Sequence, residues 1–234
     1  MIKPVFHVCL LQYIPKLCGG NATEIEDGKH LTISDLIVYS NILNSTLIIG
    51  EQNYEYDEDE GKHRIRKTDY KIEWQKNDGY VHEFYEVKEI ADIVNMAVPN
   101  VCRSVKKLKE CGIIKGHNLW IPSEYFDNGQ YFELLPKYYK CDKGLSPDFR
   151  LIFSWYYYKA CCFHKSDTAK TEFFFMKGST IYKELPINAR TRQRAIGWLK
   201  DREICRTAWN DEHKGIEIYF KKLLDGLHDD KYPF

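Results

Sequence analysis

The chain has 234 residues, 44% of them hydrophobic and 15% aromatic, which supplies apolar material for one large or two small buried cores and excludes a disordered chain. Its 34 basic residues balance 34 acidic ones, so any electrostatic function must come from where the charges sit rather than from their sum. No stretch approaches the ~20 consecutive apolar residues of a membrane span.

The opening segment "VFHVCLLQYI" reads as a strand. Pro4, His7, Gln12, Pro15 and Lys16 interrupt its apolar run, which predicts a folded segment rather than a secretory leader. Residues 29–44, "KHLTISDLIVYSNILN", predict a helix with Leu36, Ile37, Tyr39, Ile42 and Leu43 buried, Thr32 or Ser34 as its cap and Asp35 in its first turn. The acidic run "EQNYEYDEDE" (51–60) has almost no apolar support and predicts an exposed loop insertion. The basic tract "KHRIRK" that follows either pairs with it or forms an arm along DNA.

Residues 84–122 are the most informative. Val87, Ile90, Ala91 and Val94 share one face of a helix over 86–94, and Val101, Val105 and Leu108 share one face of a second helix over 99–111, with Pro99 in its first turn. A connection this short makes a helix-turn-helix. Gly112 then ends the second helix, and "IIK" and "LWIP" flank a tight turn at "GHN".

The stretch "IADIVNMAVPNVCRSVKKLKECGII" resembles the winged helix-turn-helix domains of transcription regulators and of plasmid and phage replication initiators. Setting Ile204 on Ile113, an offset of 91 residues, places Leu199 on Leu108, Ile196 on Val105, Arg194 on Arg103, Ile187 on Met96 and Ile181 on Ile90. The chain therefore reads as a repeat of one unit. In the second copy "SPDFRLIFSWYYYKACC" supplies the first helix, "GSTIYKEL" the second and "ARTRQRAIGWLKDRE" the third. "ICRTAW", "NDEHKG" and "IEIYF" supply strand, tip and strand. The expected fold is mainly α with small β-hairpin wings (α+β), in two tandem winged-helix domains over 1–135 and 136–234. The stretch 131–149 is expected to be the linker.

The resemblance implies that each third helix faces a DNA major groove. In the second copy, Arg190 and Arg194 lie about a turn apart and nearly opposite Ile196 and Leu199. Gln193 and Thr191 flank them, while Arg192 takes the place of Val101 and is expected to snorkel or pair with a carboxylate. In the first copy Asn100, Arg103 and Ser104 are the candidate base contacts, and Lys106 and Lys107 the candidate phosphate contacts.

Eight scattered cysteines, Cys9, Cys18, Cys102, Cys111, Cys141, Cys161, Cys162 and Cys205, predict reduced thiols in a cytoplasmic protein. The group Cys161, Cys162 and His164 with Cys141 upstream lacks zinc-ligand spacing, so no metal or other cofactor is expected. Trp155 and the tyrosines beside it are expected to pack between domains or at a dimer contact. Phosphate-cradling, nucleophile-elbow and metalloprotease motifs are missing, and a binding protein is expected rather than an enzyme. The expected partner is double-stranded DNA, in the service of a plasmid- or phage-type replication initiator. A homodimer, and a replication or transcription protein docked on the acidic loop, are further expected partners. A transcription regulator of the same fold, or a winged-helix protein-interaction module, remains the alternative.

Overall fold

The structure, a computed structural model, describes residues 3–11, 31–57, 62–65, 79–82, 85–121, 130–140, 144–163, 174–177, 185, 187–210 and 213–228. The chain divides into two compact units, Met1–Tyr131 and Phe132–Phe234. The described residues form six helices and small antiparallel sheets, an α+β arrangement.

In the first unit the central element is α1 (Ile33–Asn53). Its start is a reciprocal capping box with aspartate in the place of the usual glutamate. The amide and hydroxyl of Thr32 both donate to Asp35 Oδ2 at 2.8 Å, and the Asp35 amide donates back to Thr32 Oγ1 at 3.3 Å. From Asp35 to Thr46 every residue is buried, so the polar groups on α1 must find partners inside the protein. Asn41 brackets Val5 of strand β1 (Val5–His7): its Oδ1 accepts from the Val5 amide at 2.9 Å and its Nδ2 donates to the Val5 carbonyl at 3.0 Å. Ser40 Oγ accepts from the His7 amide at 3.0 Å. Tyr39 stacks on Trp120 and donates to its carbonyl at 2.6 Å.

The predicted helix over 29–44 is thus longer and later, because no proline or turn pair interrupts "NSTLIIGEQN". The described part of the acidic run, 51–57, is not a loop. Glu51 lies in α1, and Tyr54–Asp57 forms β2, antiparallel to β3 (Lys62–Ile65) with Glu55 opposite Arg64 and Asp57 opposite Lys62.

Strand β4 (Gly79–His82) precedes α2 (Val87–Val94) and α3 (Val98–Glu110), and β5 (Ile114–Lys115) and β6 (Asn118–Ile121) follow. The sheet order is β4-β6-β5. Asn95, in the left-handed region at φ 55°, ends α2. Gly112 ends α3 at φ 73°, with the Ile113 amide reaching back to the Leu108 carbonyl at 3.0 Å; this is the glycine-dependent helix stop that the sequence reading expected.

Strand β7 (Tyr131–Glu133) lies at the boundary between the units. The second unit contains β8 (Tyr138–Tyr139), α4 (Pro147–Phe163), β9 (Phe174–Lys177), α5 (Ala189–Asp201), β10 (Cys205–Asn210), β11 (His213–Ile218), α6 (Phe220–Leu224) and β12 (Leu227–His228). Its three-stranded sheet has the order β10-β11-β9, and β12 pairs with β8. The stretch expected to be linker therefore carries β7, β8 and the start of α4, and buries Leu134, Leu135, Tyr139 and Leu145. Trp155 and Tyr156 are buried.

Among the described elements the two units share one order: a buried helix, a strand, a later helix (α3 or α5) and a hairpin whose second strand also pairs with the first strand. Helices α3 and α5 begin and end at an offset of 91 residues. Their terminal bonds repeat too. The Ile204 amide bonds the Leu199 carbonyl at 2.8 Å as Ile113 bonds Leu108, and Glu203 holds the left-handed position of Gly112. The hairpin of the second unit is longer, with strand where the sequence reading placed much of the tip "NDEHKG". The expected second helix of this unit, 178–185, lies outside the described residues apart from Leu185.

Asp35 also joins α1 to α3. Ser104 donates to its Oδ1 at 2.6 Å and Lys107 to its Oδ2 at 3.1 Å. Burial opposes its ionisation, but the bonds from Ser104, Thr32 and Lys107 outweigh that cost and hold the carboxyl below its ordinary value. Its contribution is therefore present above the unfolded value near ~3.9 and is lost as pH falls through the lower folded value. We expect Asp35→Asn to cost roughly 2–4 kcal/mol at neutral pH in urea titrations, because it removes a buried charged acceptor shared by Ser104, Thr32 and Lys107. His7 provides a second pH effect. Burial pushes its imidazole down to about 4, so protonation favours the unfolded chain between the ordinary ~6.5 and that value. Stability should fall by up to about 3 kcal/mol over that window, and His7→Gln should flatten the profile.

Candidate nucleic-acid interface

Helix α5 begins at Asn188, whose side chain accepts from the Thr191 amide at 2.8 Å. This cap fixes the direction in which the first turn leaves the fold. Arg192, Ala195 and Leu199 form the buried side, and Trp198 anchors its edge. The Trp198 indole lies against Tyr139, Phe149 and Phe153, with the Arg202 guanidinium 4.0 Å above its ring. Ile196, expected to be buried with Leu199, is only half-buried. With that side anchored, the opposite side of α5 presents Arg190, Gln193, Arg194, Lys200 and Asp201 to solvent, with Thr191 half-buried and Gly197 within the strip.

The charge of Arg194 is felt by Asp148 at the start of α4. Burial raises the Asp148 carboxyl above its ordinary value, and the Arg194 guanidinium only partly offsets this. Arg192 turns inward. It is buried, and its Nη1 donates to the Leu185 carbonyl at 2.8 Å, so it reaches a backbone carbonyl where a carboxylate was one expectation.

In α3 the residues singled out from sequence divide. Asn100, Arg103 and Lys106 are exposed. The Arg103 guanidinium donates to Asn100 Oδ1, and Lys106 stands 4.0 Å from Glu110 with its side chain 79% exposed. Ser104 departs from the expectation of a base contact: it is buried and its hydroxyl is spent on Asp35. Lys107 is likewise held at Asp35, so its ammonium has an internal partner. Both departures have one cause, which is that α3 packs its Ser104 side against the capped start of α1.

The hairpins add groups that sequence reasoning passed over. Trp209 of β10 is 68% exposed, the most exposed large hydrophobic residue among those described. It lies on the same side of the strand as buried Cys205 and as Thr207, whose Oγ1 accepts from Lys200 of α5 at 2.7 Å. The alternation places Trp209 on the α5 side of the hairpin. Lys214 stands opposite it in the ladder, and the neighbouring pair Arg206 and Glu217 is joined by a charged hydrogen bond. The signal was present in the alternation Cys205, Thr207, Trp209, but only the extent of the hairpin reveals that Trp209 lies beyond the core.

The described cysteines, Cys9, Cys102, Cys111, Cys161, Cys162 and Cys205, are thiols. Cys18, Cys141 and His164 lie outside the described residues. Among the described residues no group of three or more His, Cys, Asp or Glu side chains is placed to hold a metal ion, and no helix is long and apolar enough to cross a membrane. Comparison of the chain with family models, with curated proteins and with solved structures finds no match.

The burial of Arg192 separates it from its neighbours by experiment. Arg192→Ala should cost about 2 kcal/mol, through lost packing of its stem and loss of its bond to the Leu185 carbonyl, which would keep only the Ile187 amide as donor. Arg194→Ala, at an exposed position, should stay within about 0.5 kcal/mol of the parent in the same denaturation assay.

Proposed function

We propose that both units are winged helices and that the chain is a sequence-specific binder of double-stranded DNA, of the kind used as a replication initiator by plasmid- or phage-type elements. The observation that carries this reading is the outward strip of α5. Arg190, Gln193 and Arg194 share a side of a helix whose other side is locked in the core, and arginine and glutamine are the side chains that bond guanine and adenine edges bidentately. The repeated order of elements supports it, since it supplies two such helices, each followed by a hairpin. Trp209 and Lys214 give the longer hairpin an aromatic and a cationic group to lay against a nucleic-acid backbone. A transcription regulator would use the same surfaces.

One observation favours the reading as a protein-interaction module: the chain as a whole is neutral, whereas phosphate neutralisation supplies much of the affinity of a DNA binder. The third helices are nevertheless basic. Arg103, Lys106, Lys107 and Lys109 face a single Glu110 in α3, and Arg190, Arg192, Arg194 and Lys200 face a single Asp201 in α5.

The test is selection of duplexes from a random-sequence pool, followed by affinity measurements on the winner and on a scrambled duplex at two salt concentrations. Arg190→Ala and Arg194→Ala should each weaken binding to the selected duplex roughly tenfold and relax its sequence. Lys106→Ala should weaken both duplexes alike and lower the salt slope by about one unit. Absence of any enriched duplex, or indifference of binding to both arginine substitutions, would transfer the strip to a protein partner.

A further inference from the structure

Gly197 stands in the middle of α5, where a glycine weakens a helix relative to alanine. Nothing among the described residues asks for it. A Cβ built at this position meets no described atom within 4 Å, and Gly197 is only half-buried. The first unit makes the point a second time: at the 91-residue offset its residue is Lys106, which stands out into solvent with its side chain 79% exposed. The same place in the same order of elements accepts a long side chain in one unit and carries none in the other. Along α5, Gly197 follows Gln193 and Arg194 by one turn and precedes Lys200 and Asp201 by another, so it lies in the middle of the outward strip.

We infer that Gly197 is the point of closest approach between α5 and the DNA, which makes α5 the base-reading helix, while α3, with Lys106 in the corresponding place, holds phosphates from further out. This rests on the DNA-binding reading and deepens it. The missing side chain lets the helix backbone sink toward the groove floor far enough for Arg190, Gln193 and Arg194 to reach base edges. In α3 the equivalent approach is blocked by Lys106, Ser104 and Lys107 are drawn inward to Asp35, and the exposed Asn100 and Arg103 are bonded to each other.

The experiment uses the full chain and the duplex that the parent protein selects from a random pool. Gly197→Ala should raise the melting temperature by a few degrees through helix propensity and yet weaken the selected duplex roughly tenfold, the loss expected when a bidentate contact is held off. Its affinity for a scrambled duplex should not change. Gly197→Lys, which copies the first unit, should lower affinity for the selected duplex while raising it for the scrambled one, because it adds a phosphate contact and removes the approach. Lys106→Gly should lower the salt slope and leave the preferred sequence alone. A higher melting temperature with undiminished affinity for the selected duplex in Gly197→Ala overturns the inference, and if Arg194→Ala still weakens that duplex the DNA-binding reading stands without it. A lower melting temperature in Gly197→Ala also overturns it, because the reason for the glycine then lies inside the fold. If no substitution in the strip changes binding, the reading and the inference fall together.

Discussion

A helix buried on every side is the constraint from which each unit follows. α1 from Asp35 to Thr46 and α4 from Arg150 to Tyr156 leave no residue exposed, so every polar group they carry must be matched within the protein. The matches are what attach the remaining elements. Asn41 takes both backbone groups of Val5, and in the second unit Ser154 and Arg150 do the same for Leu135, at 2.9 Å to its amide and 2.7 Å to its carbonyl. Asp35 starts α1 and grips α3 through Ser104 and Lys107. A polar side chain on the central helix thus sets the position of a strand or another helix, and apolar packing fills the space between.

With α3 and α5 held in this way, charge is distributed along the chain without a net excess. Both are basic, and the counterbalancing carboxylates are concentrated elsewhere, most densely in 51–60. That run does not stand apart from the fold. Its Tyr54–Asp57 pairs with the basic strand Lys62–Ile65, with Glu55 opposite Arg64 and Asp57 opposite Lys62. Screening confines each field to roughly 8–10 Å at physiological salt, so the basic side chains of α3 and α5 act on what lies near each helix rather than through the net charge of the chain.

The units share an order of elements, and α3 and α5 differ in what their sides do. Trp198 in α5 sits where α3 has Lys107: the second unit fixes this helix by stacking Tyr139, Phe149, Phe153 and Arg202 around an indole, the first by an ion pair to Asp35. The aromatic solution consumes no outward-facing polar group at the start of α5. The polar one draws Ser104 and Lys107 inward. One fold thereby yields a helix with an open strip of arginine and glutamine and another whose free groups are mainly lysines.

The sequence by itself determined the elements whose cause is local. The spacing Val101, Val105, Leu108 and Gly112 specifies where α3 faces and stops, the repeat at 91 residues predicts the extent of α5, and Thr32 with Asp35 announces the start of α1. The outward direction of Arg190 and Arg194 followed from helical periodicity alone. Only the tertiary structure decided which polar groups are spent inside. Ser104 and Lys107 are taken by Asp35 from 69 and 72 residues away, and Arg192 by the Leu185 carbonyl. Trp209 is left exposed because its hairpin outruns the core. Tyr54–Asp57, expected as part of an exposed loop, is strand because its backbone pairs with Lys62–Ile65. Each of these depends on contact between segments distant in the chain or on the reach of a strand past its neighbours, and no local pattern of residues carries that information.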